Sequence, residues 1–193
     1  MHERLLLDET HIWYEVSTGD GRPRVGLPEG FAFRRAGADL LPLIKQLPTI
    51  FEGEGARRLA AGHDLWLLLD GDRPAFACWT LRRAMPVPGA PNGVLVLPPG
   101  TVCVEDSVTA PEYRGRRLGP AAWTLVADEI SREGIPWLIT KIRDDNVPTQ
   151  KSVLKAGFAE MARVRFRRVL GRSRTTVTGA SGPNGAYLER VLT

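Results

Sequence analysis

The sequence predicts one α+β (mixed α/β) domain, a central mixed sheet with helices on both faces. Two observations predict it. Residues 65–69 and 75–81 have strand composition and flank Asp70-Gly71-Asp72-Arg73-Pro74, a reversal signal, so they form an antiparallel hairpin. Further on, residues 101–170 read strand, helix, strand, helix, strand. A helical crossover between the first two of these strands makes them parallel. The 193 residues suit one domain, and 43% hydrophobic with 25% charged residues is ordinary for a globular protein.

The chain divides into an N-terminal extension or first strand (1–29), the domain proper (30–178) and a C-terminal tail (179–193). Ile12-Trp13-Tyr14-Glu15-Val16 has strand composition and precedes a loop signal at Thr18-Gly19-Asp20-Gly21 and Pro23. Phe31-Ala32-Phe33-Arg34-Arg35 reads as a short strand. Asp39 is placed to cap a helix bearing Leu40, Leu41, Leu43 and Ile44, which Pro48 ends. Residues 51–61 read as another helix. The Pro/Gly-rich stretch 86–93 is either a plain surface loop or the border of a substrate opening. Residues 95–97 start a strand that Pro98-Pro99-Gly100 breaks, and 101–109 is the clearest later strand. Leu118, Ala122, Leu125, Val126 and Ile130 follow helical spacing until Gly134 and Pro136. Residues 137–142 are a compact buried strand. Residues 148–156 fit a helix, with Asn146 near its cap and Gly157 past its end. Strands follow at 158–170 and 175–178, then a loop-like Ser181-Gly182-Pro183-Asn184-Gly185 and a short helix at 186–193.

Composition narrows the function classes. No apolar run approaches the roughly 20 residues of a membrane span, and Leu5-Leu6-Leu7 is too short for a secretory core, so the expected compartment is the cytoplasm, with no membrane partner. Cys78 and Cys103 sit in apolar runs and read as buried free thiols. His2, His11 and His63 share no ligand spacing with them, so no metal is expected. The net charge of +4 permits an anionic partner without requiring one. Arg163, Arg165 and Arg167 alternate with Val164 and Phe166, as the wet face of a strand does. No base-reading motif or stacking pattern accompanies them, so nucleic acid is not expected as a partner.

The chemistry concentrates between the strand at 101–109 and the helix that begins near Leu118. A helix N-terminus presents unpaired N–H groups and the positive end of the dipole, and small residues let a diphosphate approach. Gly115 and Gly119 supply that access, and Pro120 suits a first helical turn. The Gly-Lys-Ser/Thr of a P-loop and the three glycines of a dinucleotide fold are both missing.

Arg114, Leu118 and Gly119 resemble the cofactor loop of the GNAT superfamily of N-acyltransferases, whose pattern is Arg/Gln-x-x-Gly-x-Gly/Ala. Arg117 stands where that pattern has its first glycine. A second segment, Asn146-x-x-Thr149-x-x-Ser152-x-x-Lys155-Ala156-Gly157-Phe158, resembles the superfamily's Asn-to-Gly-Phe segment. The resemblance spans about residues 30–170. It implies a single GNAT-like domain, mostly antiparallel, whose two parallel strands splay apart to admit a pantetheine arm. It implies acetyl-CoA, or another acyl-CoA, as co-substrate. The implied contacts are Val108 and Thr109 for the arm, with Val108 central in the segment from Asp106 to Thr109. Arg114, Gly115, Arg116, Arg117, Leu118, Gly119 and Pro120 hold the diphosphate, and Asn146 and Ser152 lie near the arm.

Val104-Glu105-Asp106 followed by Tyr113-Arg114-Gly115 is similar to the Leu-Glu-Asp to Tyr-Arg-Gly segment of diamine acetyltransferases in that superfamily. There the glutamate is the general base, so the implied catalytic pair is Glu105 with Asp106. Strand alternation would put the two carboxylates on opposite faces, in different jobs. Many members carry a tyrosine acid seven residues after the asparagine, and Val153 stands there in this chain. The resemblance therefore implies acyl transfer to a primary amine, a small molecule by preference. A protein lysine or N-terminus as acceptor and a non-catalytic acyl-CoA-binding module are the alternatives. Pairing through sheet edges into a homodimer is compatible with such a fold.

Overall fold

The computed structural model describes residues 6–48 and 52–193. Eight strands form one sheet in the order β10-β9-β1-β8-β7-β4-β3-β2. They are β1 (Leu6–Ser17), β2 (Phe31–Ala36), β3 (Asp64–Asp70), β4 (Arg73–Leu81), β7 (Thr101–Thr109), β8 (Trp137–Arg143), β9 (Ala159–Val169) and β10 (Arg172–Thr178). Two short strands, β5 (Ala84–Pro86) and β6 (Val94–Val96), pair as a separate hairpin. The helices are α1 (Glu52–Ala60), α2 (Leu118–Arg132), α3 (Val147–Lys155) and α4 (Gly182–Leu192). Neighbouring strands in the large sheet are antiparallel except β7 and β8, the parallel pair that the crossover predicted.

Burial follows what covers each strand. From Asp64 to Leu69 β3 is buried without a break, and β4 is buried from Pro74 to Leu81, because helices lie over both faces at the sheet centre. The indole of Trp79 packs under Gly55 of α1, and Phe76 packs under Gly119 of α2. Each such large side chain contributes about 1.5–3 kcal/mol on burial. Near the sheet edge β9 alternates instead: Val164 and Phe166 are buried, while Arg163, Arg165 and Arg167 are exposed, the wet face read from the sequence.

The strand around Ile12 is longer than its apolar run, and it is not peripheral. β1 lies inside the sheet between β8 and β9, so residues 6–17 are structurally part of the domain. The helix expected after Asp39 is a six-residue 3-10 turn, Leu41–Gln46, with Leu40 and not Asp39 at its N-cap. Pro42 and Pro48 bracket the segment too closely for an α-helix to nucleate. Of the helix expected at 51–61, Phe51 lies outside the described residues and the remainder is α1. The tail is also corrected. Residues 182–185, expected as loop, are the first turn of α4, which packs on β9 and β10. Pro183 is tolerated there because first-turn N–H groups have no intrahelical acceptor. No helix among the described residues is long and apolar enough to cross a membrane.

Candidate active site

The site begins where the parallel strands part. Pairing of β7 with β8 runs from Thr101↔Trp137 to Val104↔Thr140, and the Thr140 hydroxyl donates to the Val104 carbonyl at 2.9 Å on the last rung. Beyond it β7 continues paired only with β4, across a register shift between Ala77 and Trp79. Asp106 at the bend has φ +49°. This bulge turns the β7 main chain out of line with β8 and leaves Glu105 to Thr109 without a strand partner on that side.

A cavity of about 560 Å³ lies over the start of α2. Val108, Thr109, Arg114, Gly115, Arg117, Leu118, Gly119 and Pro120 line it from one side, with Ser152 and Lys155 of α3 opposite. Arg117 is the N-cap of α2 and makes no side-chain capping bond, so the N–H groups of the first turn are left for an anionic ligand. Arg114, Arg117 and Lys155 add cationic charge at the same cavity. The arrangement fits a diphosphate. Arg116 does not line this cavity. Its guanidinium lies 5.4 Å over the Tyr113 ring, and Tyr113 donates its hydroxyl to Asp70 at 2.9 Å. Of the residues expected at the diphosphate, Arg116 is the one whose side chain packs in the loop and not on this cavity.

Arg117 adopts φ +60°, a left-handed conformation that explains the glycine of the superfamily pattern at this position. A side chain there costs about 1 kcal/mol. Arg117→Gly should raise the melting temperature by about 2–4 °C, read by thermal denaturation.

A second cavity, of about 250 Å³, occupies the split itself. Ser107, Trp123 and Thr149 border both it and the larger cavity, so the two are adjacent. Trp123 donates its indole N–H to Ser107 Oγ at 3.0 Å, which fixes the junction. Asn146 borders the split and caps α3, accepting from the Thr149 N–H at 3.3 Å, as its position before the helix predicts. Val153 is fully buried and away from these cavities, so the usual tyrosine position points into the core. No tyrosine lines the split among the described residues. The Ser152 hydroxyl donates to the Pro148 carbonyl within its own helix.

Glu105 and Asp106 both border the split, so simple strand alternation does not separate them; the bulge at Asp106 breaks it. Their partners do separate them. Glu105 accepts from Lys141 Nζ of β8 at 3.1 Å, and both side chains are only 16% exposed. Burial raises the Glu105 carboxyl above the ordinary glutamate value, and the Lys141 ammonium opposes part of that rise. Asp106 is half exposed and ion-paired with Arg58 of α1 at 2.6 Å. It ties α1 to the bulge beside Glu105.

A third cavity, of about 220 Å³, opens beyond the split. His11 and Lys141 border both. Its far side includes Val87, Pro88 and Gly89 of the loop between β5 and β6, so the loop at 86–93 borders a cavity and is not a plain surface loop. Burial first, and then the Lys141 charge, lower the pKa of His11, which favours its neutral form. Sequence reading missed His11, Lys141 and Trp123. The available signal was a lysine inside the buried strand 137–142, a position that asks for a partner. Both cysteines are free and buried, and no group of three or more metal-ligating side chains clusters among the described residues.

This architecture is similar to solved GNAT structures. A GNAT-family protein from Novosphingobium aromaticivorans aligns over 91% of this chain and 66% of its own, at 15% identity and TM-score 0.58. A GCN5-related N-acetyltransferase from Sphaerobacter thermophilus aligns over 82% and 50%, at 13% identity and TM-score 0.59. A GNAT-family acetyltransferase from Colwellia psychrerythraea aligns over 84% and 56%, at 13% identity and TM-score 0.58. The chain thus spans between half and two thirds of the length of these structures. No protein-family model matches the sequence, and no curated protein matches it. The fold is a central, mostly antiparallel sheet opened at one parallel pair. That fold is the fold of the GNAT superfamily.

Proposed function

We propose that the chain is an N-acyltransferase that moves an acetyl or similar acyl group from coenzyme A to a primary amine. One observation carries the reading. A cationic cavity at the α2 N-terminus adjoins the split between β7 and β8, and the split holds a buried carboxylate. The first turn of α2 with Arg114, Arg117 and Lys155 would hold the diphosphate, and the unpaired main chain of residues 106–109 would align the pantetheine arm. Acetyl-CoA supplies an activated acyl carbon when bound. Glu105 takes the proton of the incoming ammonium, which frees the nitrogen lone pair for attack. No tyrosine among the described residues lines the split, and we assign water as the proton source for the departing thiolate.

Val87, Pro88 and Gly89 of the loop wall a small cavity on the side of the split away from the α2 N-terminus, which supports a small amine over a peptide. A non-catalytic acyl-CoA-binding module is the second reading, favoured by the Glu105–Lys141 ion pair, which occupies the base. Calorimetry with acetyl-CoA followed by thiol release over an amine panel tests both. Binding with amine-dependent thiol release is expected. Binding without release over the whole panel leaves the second reading, and no binding at millimolar acetyl-CoA overturns both.

A further inference from the structure

The third cavity has a composition of its own. Trp13, Val87, Val164 and Phe166 form its walls, each of them more than nine-tenths buried, and the exposed Pro88 stands at its rim. Its volume of about 220 Å³ is below the range of about 300–1,000 Å³ usual for larger small-molecule sites, so it suits a compact ligand. Lys141 is the one cation on its lining, and its ammonium is already held against Glu105. Register places Trp13 directly across from Lys141, so an aromatic wall adjoins the ion pair.

An acceptor that reaches Glu105 from this chamber brings its nitrogen beside the Lys141 ammonium. One positive charge there is offset by Glu105. A second lies in an apolar chamber next to a lysine, where nothing replaces its water. The one carboxylate of the chamber itself is Glu9. It sits four residues from Trp13 along β1, roughly 13 Å at the strand rise. Register sets Lys141, the partner of Glu105, opposite Trp13, so Glu9 lies four residues along β1 from that pair.

Resting on the acyltransferase reading, we propose that the chamber between β1, β8, β9 and the β5–β6 hairpin is the acceptor site. Its substrate is a compact monoamine with an apolar, ring-sized body, and Lys141 is the residue that excludes diamines. This separates the chain from the diamine acetyltransferases that its Glu105–Gly115 segment resembles.

The test compares 2-phenylethylamine with 1,4-diaminobutane and spermidine, using thiol release with acetyl-CoA and, separately, saturation-transfer NMR for amine binding. The expected kcat/KM for 2-phenylethylamine exceeds that for either polyamine by about tenfold or more. Lys141→Gln should shrink that ratio. Because the readout is a ratio, any loss of base strength common to all amines cancels. If Lys141→Gln turns over too slowly to measure, the ratio of amine affinities by NMR decides in its place. Val87→Phe, which fills the chamber, should weaken the ring-bearing amine while acetyl-CoA binding, measured by calorimetry, reports that the fold is intact. A wild-type preference for a polyamine, or ring binding unaffected by Val87→Phe, overturns the chamber assignment. A selectivity ratio unchanged by Lys141→Gln overturns the role of Lys141. Failure of acetyl-CoA to bind overturns the acyltransferase reading instead, and amine binding by NMR then still decides the chamber.

Discussion

Replacing Glu105 by glutamine should lower turnover by about 10²–10⁴-fold, the contribution of a positioned general base, while acetyl-CoA binding stays near the wild-type value. Glutamine keeps the shape of the side chain and an oxygen for Lys141 but cannot take a proton. The cavity that would bind the cofactor is lined by other residues, so affinity and turnover should separate. The pH profile supplies a second readout. Burial raises the Glu105 pKa, and Lys141 counteracts the rise in part; Asp106 pushes it up and Arg58 down. A base must be ionised to work, so activity falls as pH drops through this raised pKa. The acid limb of kcat/KM should therefore lie above the ordinary glutamate range. Removing the Lys141 charge removes an influence that lowers the pKa, so the limb should move further toward alkaline pH in Lys141→Gln. Wild-type turnover in Glu105→Gln, with a verified amine, removes Glu105 from the base role.

Much of the sheet was legible because its local signals are strong. The strand at 101–109 is observed with the same limits, Asn146 caps the helix it was expected to cap, and the crossover gave the parallel pair. What failed was decided by distant partners. β1 pairs with strands more than a hundred residues downstream, so its run of mixed polarity reveals neither its length nor its place inside the sheet. Residues 181–185 carry two glycines and a proline, and local propensity reads them as loop. Packing against β9 makes helix of residues 182–185. The same division holds at the site. The phosphate loop is a contiguous stretch and could be read. The Glu105–Lys141 pair joins residues 36 positions apart across a split that opens beside the positive φ of Asp106. The acceptor chamber draws on four separated segments, and only the loop at 86–93 gave any local sign of it.

Gly185→Ala should cost about 1–3 kcal/mol of stability or more, the range for forcing a methyl into a packed interior, and the cost has a functional direction. A Cβ at Gly185 would lie 2.6 Å from the Met161 carbonyl oxygen and 3.3 Å from the Ala180 carbonyl carbon. Both are main-chain atoms, so no rotamer change relieves the contact. The Met161 carbonyl also accepts from the Ser181 N–H at 2.9 Å, which ties the start of α4 to β9. On the adjacent residue, Asn184 donates to Glu15 of β1 at 2.7 Å, a bond that needs the same close approach. Displacing α4 would disturb the strand that carries Val164 and Phe166, two walls of the acceptor chamber. The cofactor cavity draws on neither β9 nor α4. Thermal denaturation should therefore show a lower melting temperature, and at temperatures where the variant remains folded the KM for the amine should rise more than the KM for acetyl-CoA. An equal rise in both would mean that α4 supports the whole sheet and not the acceptor wall in particular, and an unchanged melting temperature would mean that the helix and β9 can separate without loss.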